Sequence, residues 1–237
     1  MKAYLTEQAL GMGIGMTPEQ AQRFEAYHAL LTEANKSMNL TRVSQDVRES
    51  CDRNYLDSLT LLAHLSGARS LIDVGSGAGF PGVPIAIMRP DMDVTLLDAL
   101  GKRVEFLNRV IEELGLNARA VHMRSEQAAA LREYRDAFDA ATARAVADMR
   151  VLSEWLLPFV RPGGCMLAMK GPEAENETDL AAYAITCLGG KPAGVYDASV
   201  PGRDWSHKIV KIEKLTSTPP RFPRRPGVAE KRPLSEG

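Results

Sequence analysis

Short apolar runs alternate with longer segments of mixed polarity over the middle of the chain, between residues 70 and 214. The runs with strand character are residues 71–74, 94–97, 120–123, 138–141, 165–169, 193–200 and 208–214. The segments with helical character between them include residues 102–114, 148–159 and 173–188. Strands separated by helices are typical of βαβ units, in which helices cover both faces of a parallel sheet. The pattern therefore predicts an α/β fold with a mostly parallel, doubly wound sheet.

The residues before this alternation have the spacing of helices. Thr17-Pro18-Glu19-Gln20 combines an N-cap threonine, a proline at the first helical position and a glutamine at the capping-box position. A second helix is predicted over residues 52–65, where leucines recur on one face. We therefore expect a helical N-terminal extension over residues 1–66 and an α/β domain over residues 67–215.

The end of the chain has a different composition. Residues 216–237 hold five prolines and few apolar side chains, and residues 208–232 carry eight basic residues against two acidic ones. Because proline lacks a backbone N–H, it disfavours a regular helix. Residues 216–237 are therefore predicted to form a basic, proline-rich, extended C-terminal tail.

Composition excludes several functional classes. The 237 residues include 29 Lys and Arg against 30 Asp and Glu, so the net charge of −1 does not indicate a nucleic-acid partner, and RNA binding would depend on local charge. The three cysteines, an odd number without metal-site spacing, predict a reduced cytoplasmic chain without a metal. The longest uncharged run, residues 74–88, is too short and too interrupted by Gly and Pro to cross a membrane.

The strongest chemical signal follows the first predicted strand, in the sequence Asp73-Val74-Gly75-Ser76-Gly77-Ala78-Gly79-Phe80-Pro81-Gly82. Glycines here let the chain turn tightly and let a ligand approach the backbone. The spacing from Gly77 to Gly82 fits a dinucleotide fingerprint, whereas the spacing from Asp73 to Gly79 is similar to motif I of S-adenosylmethionine (AdoMet) methyltransferases. Asp98, which ends the second strand, suits the ribose of either cofactor.

A longer, ordered set of segments makes the resemblance specific. The segments are Asn39-Leu40-Thr41, Leu56-Asp57-Ser58-Leu59, Gly75 to Gly82, Leu97 to Leu107, Arg124-Ser125-Glu126, Ala143-Arg144-Ala145-Val146, Lys170-Gly171 and Phe222-Pro223-Arg224-Arg225-x-Gly227. From about residue 20 to about residue 234, the chain resembles the ribosomal RNA small subunit methyltransferase G family. The resemblance implies a Rossmann-like AdoMet-dependent methyltransferase fold.

The resemblance also implies a reaction and a set of cofactor contacts. The reaction is methylation by AdoMet of N7 of guanine 527, in the 530 loop of 16S rRNA. The partner would be 16S rRNA in the small ribosomal subunit or in an assembly intermediate. The implied cofactor-binding residues are Gly75, Gly77, Gly79, Phe80, Asp98, Ala99, Ser125, Glu126 and Arg144.

Two departures from the family pattern fall in the N-terminal helices. The family commonly has Arg-His where this chain has Arg53-Asn54, and it often has Trp-Asn where this chain has Ala34-Asn35. These departures concern the role of the N-terminal helices rather than the cofactor site.

The implied chemistry needs no proton acceptor, because guanine N7 already carries an exposed lone pair. Alignment and desolvation are then sufficient, and no catalytic base is assigned. Arg144 and Lys170 follow the fourth and fifth strands at the carboxyl edge, where open α/β sheets bind ligands, and each fits either cofactor or RNA. The basic residues expected to contact RNA are Arg144, Lys170, Lys102, Arg103, Arg224 and Arg225.

Three other functions fit parts of the same sequence. An AdoMet-dependent enzyme of small molecules would keep the glycine motif and Asp98 but would not need the basic tail. A non-catalytic RNA-binding or ribosome assembly module would hold AdoMet only as a structural ligand. A nicotinamide enzyme would use the dinucleotide spacing, but no substrate domain for hydride chemistry is evident.

Overall fold

One seven-stranded sheet forms the centre of the protein. The computed structural model describes residues 1–38, 40, 46–144 and 147–236. The strands are β1 (Ser70–Val74), β2 (Asp93–Asp98), β3 (Ala118–His122), β4 (Phe138–Arg144), β5 (Val160–Lys170), β6 (Gly190–Asp197) and β7 (Lys208–Lys214). Their order is β3-β2-β1-β4-β5-β7-β6; β1 to β5 pair in parallel, and β7 is antiparallel to both β5 and β6. The predicted mostly parallel sheet is confirmed.

Helices cover both faces of this sheet. They are α1 (Lys2–Gly11), α2 (Pro18–Met38), α3 (Val47–Ser50), α4 (Asp57–Leu59), α5 (Gly82–Met88), α6 (Gly101–Leu114), α7 (Ser125–Ala128), α8 (Met149–Leu156), α9 (Ala174–Leu180), α10 (Ala182–Cys187) and α11 (Val228–Lys231). The predicted capping box at the start of α2 is present. The backbone N–H of Gln20 donates to Thr17 Oγ1 at 3.2 Å, and the Thr17 N–H donates to Gln20 Oε1 at 2.9 Å.

Three predicted helices differ in detail. Residues 52–65 do not form one α-helix, since a π-helix over Cys51–Leu56 precedes α4 and a 3₁₀-helix over Thr60–His64 follows it. Nearly every side chain from residue 51 to residue 59 is buried, so no single apolar stripe imposes a regular repeat. The helix predicted over 173–188 is divided at Ala181, and the helix predicted over 148–159 ends as a 3₁₀-turn that contains Pro158.

The fifth strand begins earlier than predicted. The apolar pattern places the strand at residues 165–169, but β5 begins at Val160 and includes residues 161–164. The pairing of β4 with β5 is irregular between Phe138 and Ala140, and Gly163 has a φ of 85°. A glycine there lets the strand bulge without ending.

The C-terminal segment is folded, and the prediction that it lacks a helix is wrong. The single turn α11 lies between Pro226 and Pro233, so neither proline interrupts it. The Arg135 guanidinium donates to the carbonyl oxygens of Thr218, Pro219 and Phe222 at 2.7, 3.2 and 2.9 Å. The Phe222 ring is buried in the core. The segment therefore lies along the sheet domain.

Two hydrophobic clusters flank the sheet. One combines side chains of α1 and α2 with those of α5 and α6, and the other combines side chains of α8 and α10 with Phe222. The predicted N-terminal extension is therefore part of one wall of the core. None of the helices in the described ranges has both the length and the apolar character that a membrane span requires.

Candidate active site

The glycine loop and Asp98 lie side by side at the carboxyl edge of the sheet. The backbone N–H groups of Gly75 and Ser76 donate to the carbonyl oxygen of Leu97 at 2.8 and 3.1 Å, which ties the loop after β1 to the end of β2. The N–H of Gly77 donates to Asp98 Oδ2 at 2.9 Å. The carboxyl ends of two adjacent parallel strands thus bring the predicted motif and the predicted ribose acid together.

Two glycines of the loop are required by close packing. At Gly79, where φ is 104°, an added Cβ atom would lie 2.6 Å from Val83 Cγ2 and 2.8 Å from the Tyr27 hydroxyl. At Gly82, an added Cβ would lie 2.8 Å from Asp73 Oδ2 and would collide with Leu96. These contacts let α5 pack directly against β1 and β2, which fixes the loop that precedes the helix.

The Asp98 carboxylate is buried and held in one orientation. Its Oδ1 accepts the Leu100 N–H at 2.9 Å, and the Arg103 guanidinium lies 3.4 Å from its Oδ2. Only 3% of Asp98 is exposed. A carboxylate can accept about four hydrogen bonds; Oδ1 has one donor and the contact of Arg103 to Oδ2 is long, so the group can still accept ligand hydroxyls.

An open cleft lies beside Asp98. Its lining residues are Val74, Gly75, Leu97, Asp98, Ala99, Met123, Arg124, Ser125, Glu126, Trp155 and Glu230. Five predicted cofactor-binding residues thus share one cleft: Gly75, Asp98, Ala99, Ser125 and Glu126. Trp155 on α8 and Glu230 on α11 were not predicted to belong to the site. A tryptophan among apolar helix positions has the pattern of a core residue, and no local signal connects Glu230 to the glycine loop.

The C-terminal segment supplies Glu230 to the cleft wall and is bonded to Glu126 on α7. The Oε1 atom of Glu126 accepts the N–H of Gly227 at 3.1 Å, and its Oε2 accepts the Ser125 hydroxyl at 3.2 Å. Gly227 immediately precedes α11, which carries Glu230. The fold of the tail and the shape of the cleft are therefore connected by a direct hydrogen bond.

Phe80, in the glycine loop, and Arg144, at the end of β4, are in contact. The buried Phe80 ring packs against Tyr27 and Tyr55 at centroid distances of 5.5 and 5.7 Å. The Arg144 guanidinium lies over the Phe80 ring, 4.8 Å from its centroid. Because Phe80 belongs to the glycine loop, Arg144 lies at the same edge of the sheet as the loop. The position of Arg144 at the end of β4 predicted this placement.

Arg144 is also bonded to the N-terminal helical segment. Its Nη1 donates to the carbonyl oxygen of Arg53 at 3.0 Å and lies 3.4 Å from Asp57 Oδ2, while its Nη2 lies 3.5 Å from Asn54 Oδ1. Asn54 stands where the family commonly has histidine. This departure therefore touches a predicted site residue and not only the N-terminal helices.

Asp73, the acid at the start of the glycine motif, is fully buried. Its Oδ2 accepts the N–H of Gly82 at 3.0 Å, and its backbone oxygen accepts the Ser76 hydroxyl at 2.8 Å. Within the described ranges, its Oδ1 has no hydrogen-bond partner. Burial raises the pKa of Asp73 to about 7, because the charged form loses more hydration than its hydrogen bonds restore.

The predicted RNA-contacting residues fall into two groups. Lys102 and Arg225 are exposed. Lys170 is instead engaged within the fold, with Nζ 2.8 Å from the Ala147 carbonyl oxygen and 2.6 Å from Glu177 Oε2. Arg224 donates from Nη2 and Nε to the buried Glu154 carboxylate at 2.5 and 2.9 Å. Both cations are thus compensated by carboxylates of the protein.

Two other predicted segments are only partly described. Asn39, Thr41, Ala145 and Val146 lie outside the described residues. Across the residues that are described, no group of three or more His, Cys, Asp or Glu side chains has the arrangement of a metal site.

Comparison with known proteins identifies the family. Residues 20–203 match the family described as rRNA small subunit methyltransferase G. The chain belongs to that family. It is 43% identical over 226 residues to the ribosomal RNA small subunit methyltransferase G of Clostridium perfringens strain 13 / Type A, and the match covers 94% of each chain. The protein is therefore assigned to the methyltransferases.

Solved structures of lower sequence identity share the fold. The branched-chain polyamine synthase C9 mutein of Thermus thermophilus matches with a TM-score of 0.58 and 15% identity, over 83% of this chain and 64% of that one. The geranyl diphosphate C-methyltransferase of Streptomyces coelicolor A3(2), solved with S-adenosyl-L-homocysteine, matches with a TM-score of 0.52 and 14% identity. That match covers 84% of this chain and 99% of the other.

Proposed function

We propose that the protein transfers the methyl group of AdoMet to N7 of guanine 527, in the 530 loop of 16S rRNA. The proposal combines membership of the rRNA small subunit methyltransferase G family with the geometry at the carboxyl edge of the sheet. The observation that carries it is the buried Asp98 carboxylate, fixed against the glycine loop at the wall of a cleft.

The cleft residues fit the nucleoside part of AdoMet. Asp98 would accept hydrogen bonds from the ribose hydroxyls, and Ser125 and Glu126 would lie beside the adenine. The remaining proposed cofactor contacts are Gly75, Gly77, Gly79, Phe80, Ala99 and Arg144. The bound cofactor supplies an electrophilic methyl group on a sulfonium ion.

The acceptor atom needs positioning rather than activation. Guanine N7 attacks with a lone pair that no residue has to deprotonate, so the protein must align the base with the methyl group and exclude water. Arg144 over Phe80 would form one wall of this region, at the junction of the cofactor loop and the N-terminal segment. Lys102 and Arg225, two of the predicted RNA contacts, are exposed and could meet phosphates.

Methyl transfer to isolated small subunits tests the proposal. Subunits from cells that lack the protein are incubated with labelled AdoMet, and the modified nucleotide is then mapped. Label at N7 of the 530-loop guanine supports the reaction. If the protein binds AdoMet but leaves the RNA unlabelled, the ribosomal substrate is wrong.

The variant Asp98→Ala tests the cofactor assignment separately. Loss of charge-assisted hydrogen bonds to a ribose costs about 1.5–3 kcal/mol, so AdoMet should bind roughly 10–100-fold more weakly while affinity for the subunit is retained. Asp91→Ala is the matched control, because Asp91 is an exposed carboxylate paired with Arg89 on the surface. Isothermal titration with AdoMet compares the two, and equal affinities would remove Asp98 from the cofactor site.

A further inference from the structure

The connection between β6 and β7 lies at the edge of the sheet that carries the active site. Lys208, the first residue of β7, pairs with Lys170, the last residue of β5. Because β7 runs antiparallel to β5, the connecting residues 198–207 project from the carboxyl ends of the parallel strands. This loop was not predicted to contribute to function.

Two buried carboxylates hold the loop against the N-terminal segment. Asp52 Oδ2 accepts Nε and Nη2 of Arg203 at 2.8 and 2.6 Å, and Asp52 also accepts the hydroxyl of Tyr4. Asp57 Oδ1 lies 2.9 Å from Nδ1 of His207. The loop is therefore fixed at two points.

The second of these points is shared with the active site. Asp57 contacts His207 through Oδ1 and Arg144 through Oδ2, so one carboxylate joins the loop to the arginine above Phe80. The same carboxylate therefore positions both the loop and Arg144. A molecule bound on the loop would lie on a surface that is directly connected to the predicted reaction centre.

Trp205 occupies the middle of this surface. The guanidinium carbon of Arg53 lies 4.7 Å from the indole centroid, that of Arg203 lies 5.5 Å away, and the imidazole of His207 lies 5.3 Å away. The indole is only partly buried, and Arg53 and Arg203 are exposed. Planar cations beside an accessible aromatic ring are the side chains on which unpaired bases stack, while the charges meet adjacent phosphates.

Arg203 and His207 pair with buried carboxylates, whereas Arg53 pairs with a carboxylate at the surface. Asp52 and Asp57 are buried beneath the loop, and Arg53 pairs with Glu49 at its outer side. Asp204 is exposed next to the ring. The guanidinium of Arg53 is therefore the group that an incoming base can replace on the indole, after which it can pair with a phosphate.

We propose that Arg53, Arg203, Trp205 and His207 form the surface on which the rRNA docks, with an unpaired base stacked on Trp205. This inference rests on the proposed function and specifies where its substrate binds. It differs from the prediction that Arg224 supplies RNA contacts, since Arg224 pairs with the buried Glu154, whereas Arg53 pairs with a carboxylate at the surface.

Binding to small subunits lacking the modification tests this surface. Labelled protein is co-sedimented with the subunits, and Trp205→Ala should bind at least about tenfold more weakly, the loss expected for one base stacked on an aromatic ring. Tyr183→Ala is the control, because Tyr183 is an exposed aromatic side chain on α10. Trp205 also contacts the hydrophobic core, so Trp205→Phe, which keeps an aromatic ring, should retain more affinity than Trp205→Ala.

Arg109 provides a matched control for Arg53. Arg53 pairs with Glu49 and Arg109 pairs with Glu113, each across four residues of a helical segment and with similar exposure. Arg53→Ala should lower the slope of log affinity against log salt by about one phosphate contact, whereas Arg109→Ala should leave the slope unchanged.

If Trp205 only stabilised the fold, its replacement would weaken AdoMet binding as well as RNA binding. The chain has two tryptophans, so Trp205→Ala leaves Trp155, in the wall of the cleft, as the fluorescent reporter of AdoMet binding. We expect unchanged AdoMet affinity in this variant. Wild-type subunit affinity in Trp205→Ala and Arg53→Ala would overturn the surface while leaving the proposed reaction intact. Failure of the wild-type protein to methylate or bind subunits would overturn both.

Discussion

Individual carboxylates in this protein are distinguished by their partners. Asp98 accepts two backbone N–H groups and faces the cleft, whereas Asp73 is fully buried and has one oxygen without a partner among the described residues. Both lie at the carboxyl ends of strands, and the sequence pattern alone gives both the same character. Their environments support the proposed role of Asp98 in cofactor binding and make Asp73 a titrating group inside the core.

The raised pKa of Asp73 should appear in the pH dependence of stability. Its pKa is about 7 in the folded chain and about 4 in the unfolded chain, so unfolding between these values releases a proton and stability falls as pH rises from 4 to 7. Asp73→Asn removes this contribution, which is roughly 2–4 kcal/mol over the full window. Urea unfolding of the cofactor-free protein at pH 5 and pH 7.5 measures the difference.

The exposed Asp179 provides the control for that experiment. Asp179→Asn should keep the wild-type difference in unfolding free energy between the two pH values. An identical pH dependence in wild type and Asp73→Asn would show that Asp73 does not titrate in this range.

At the scale of elements, the C-terminal segment is held to α8 by an ion pair. Glu154 is almost fully buried and accepts both the backbone N–H and the guanidinium of Arg224. Removing one partner of a buried pair leaves an uncompensated charge. The segment is therefore attached by chemistry that its prolines and basic composition did not indicate.

Replacing Arg224 should consequently destabilise the protein. We expect Arg224→Ala to lower the free energy of unfolding by about 3–5 kcal/mol, whereas Arg225→Ala, at the neighbouring exposed position, should change it by less than about 0.5 kcal/mol. Chemical denaturation monitored by circular dichroism compares the two variants. Equal stabilities would mean that the pair with Glu154 does not hold the segment.

The pattern of apolar residues in the sequence predicted the elements in which buried positions recur at regular intervals. The apolar runs located all seven strands, and Asp98 could be placed beside the glycine loop because adjacent parallel strands end at one edge. The interrupted helix over residues 51–64 could not be predicted, since its buried polar residues bind partners far along the chain. Asp57 and His207, for example, are 150 residues apart.

On the scale of the whole molecule, the N-terminal helices, the sheet domain and the C-terminal segment pack together in two hydrophobic clusters. The N-terminal helices form part of one hydrophobic cluster, and Phe222 of the C-terminal segment belongs to the other. Lys214, buried at the end of β7, donates to Thr218 Oγ1 at 2.6 Å. The predicted boundaries at residues 66 and 215 therefore separate sequence patterns whose side chains pack together.

We expect the full chain to unfold in one cooperative transition and a fragment of residues 67–215 to show none. The fragment would expose one face of the sheet and leave Glu154 and Lys214 without the partners that Arg224 and Thr218 supply. Differential scanning calorimetry of both proteins measures this. A cooperative transition in the fragment would establish it as an independent domain.

The bond between Glu126 and Gly227 has a consequence for biosynthesis. Gly227 and Glu230 follow all seven strands along the chain, and domains fold as units while the chain emerges. The strands and most of the cleft leave the ribosome before the segment that completes the wall. The wall of the cleft would therefore be completed only after the whole sheet has emerged from the ribosome.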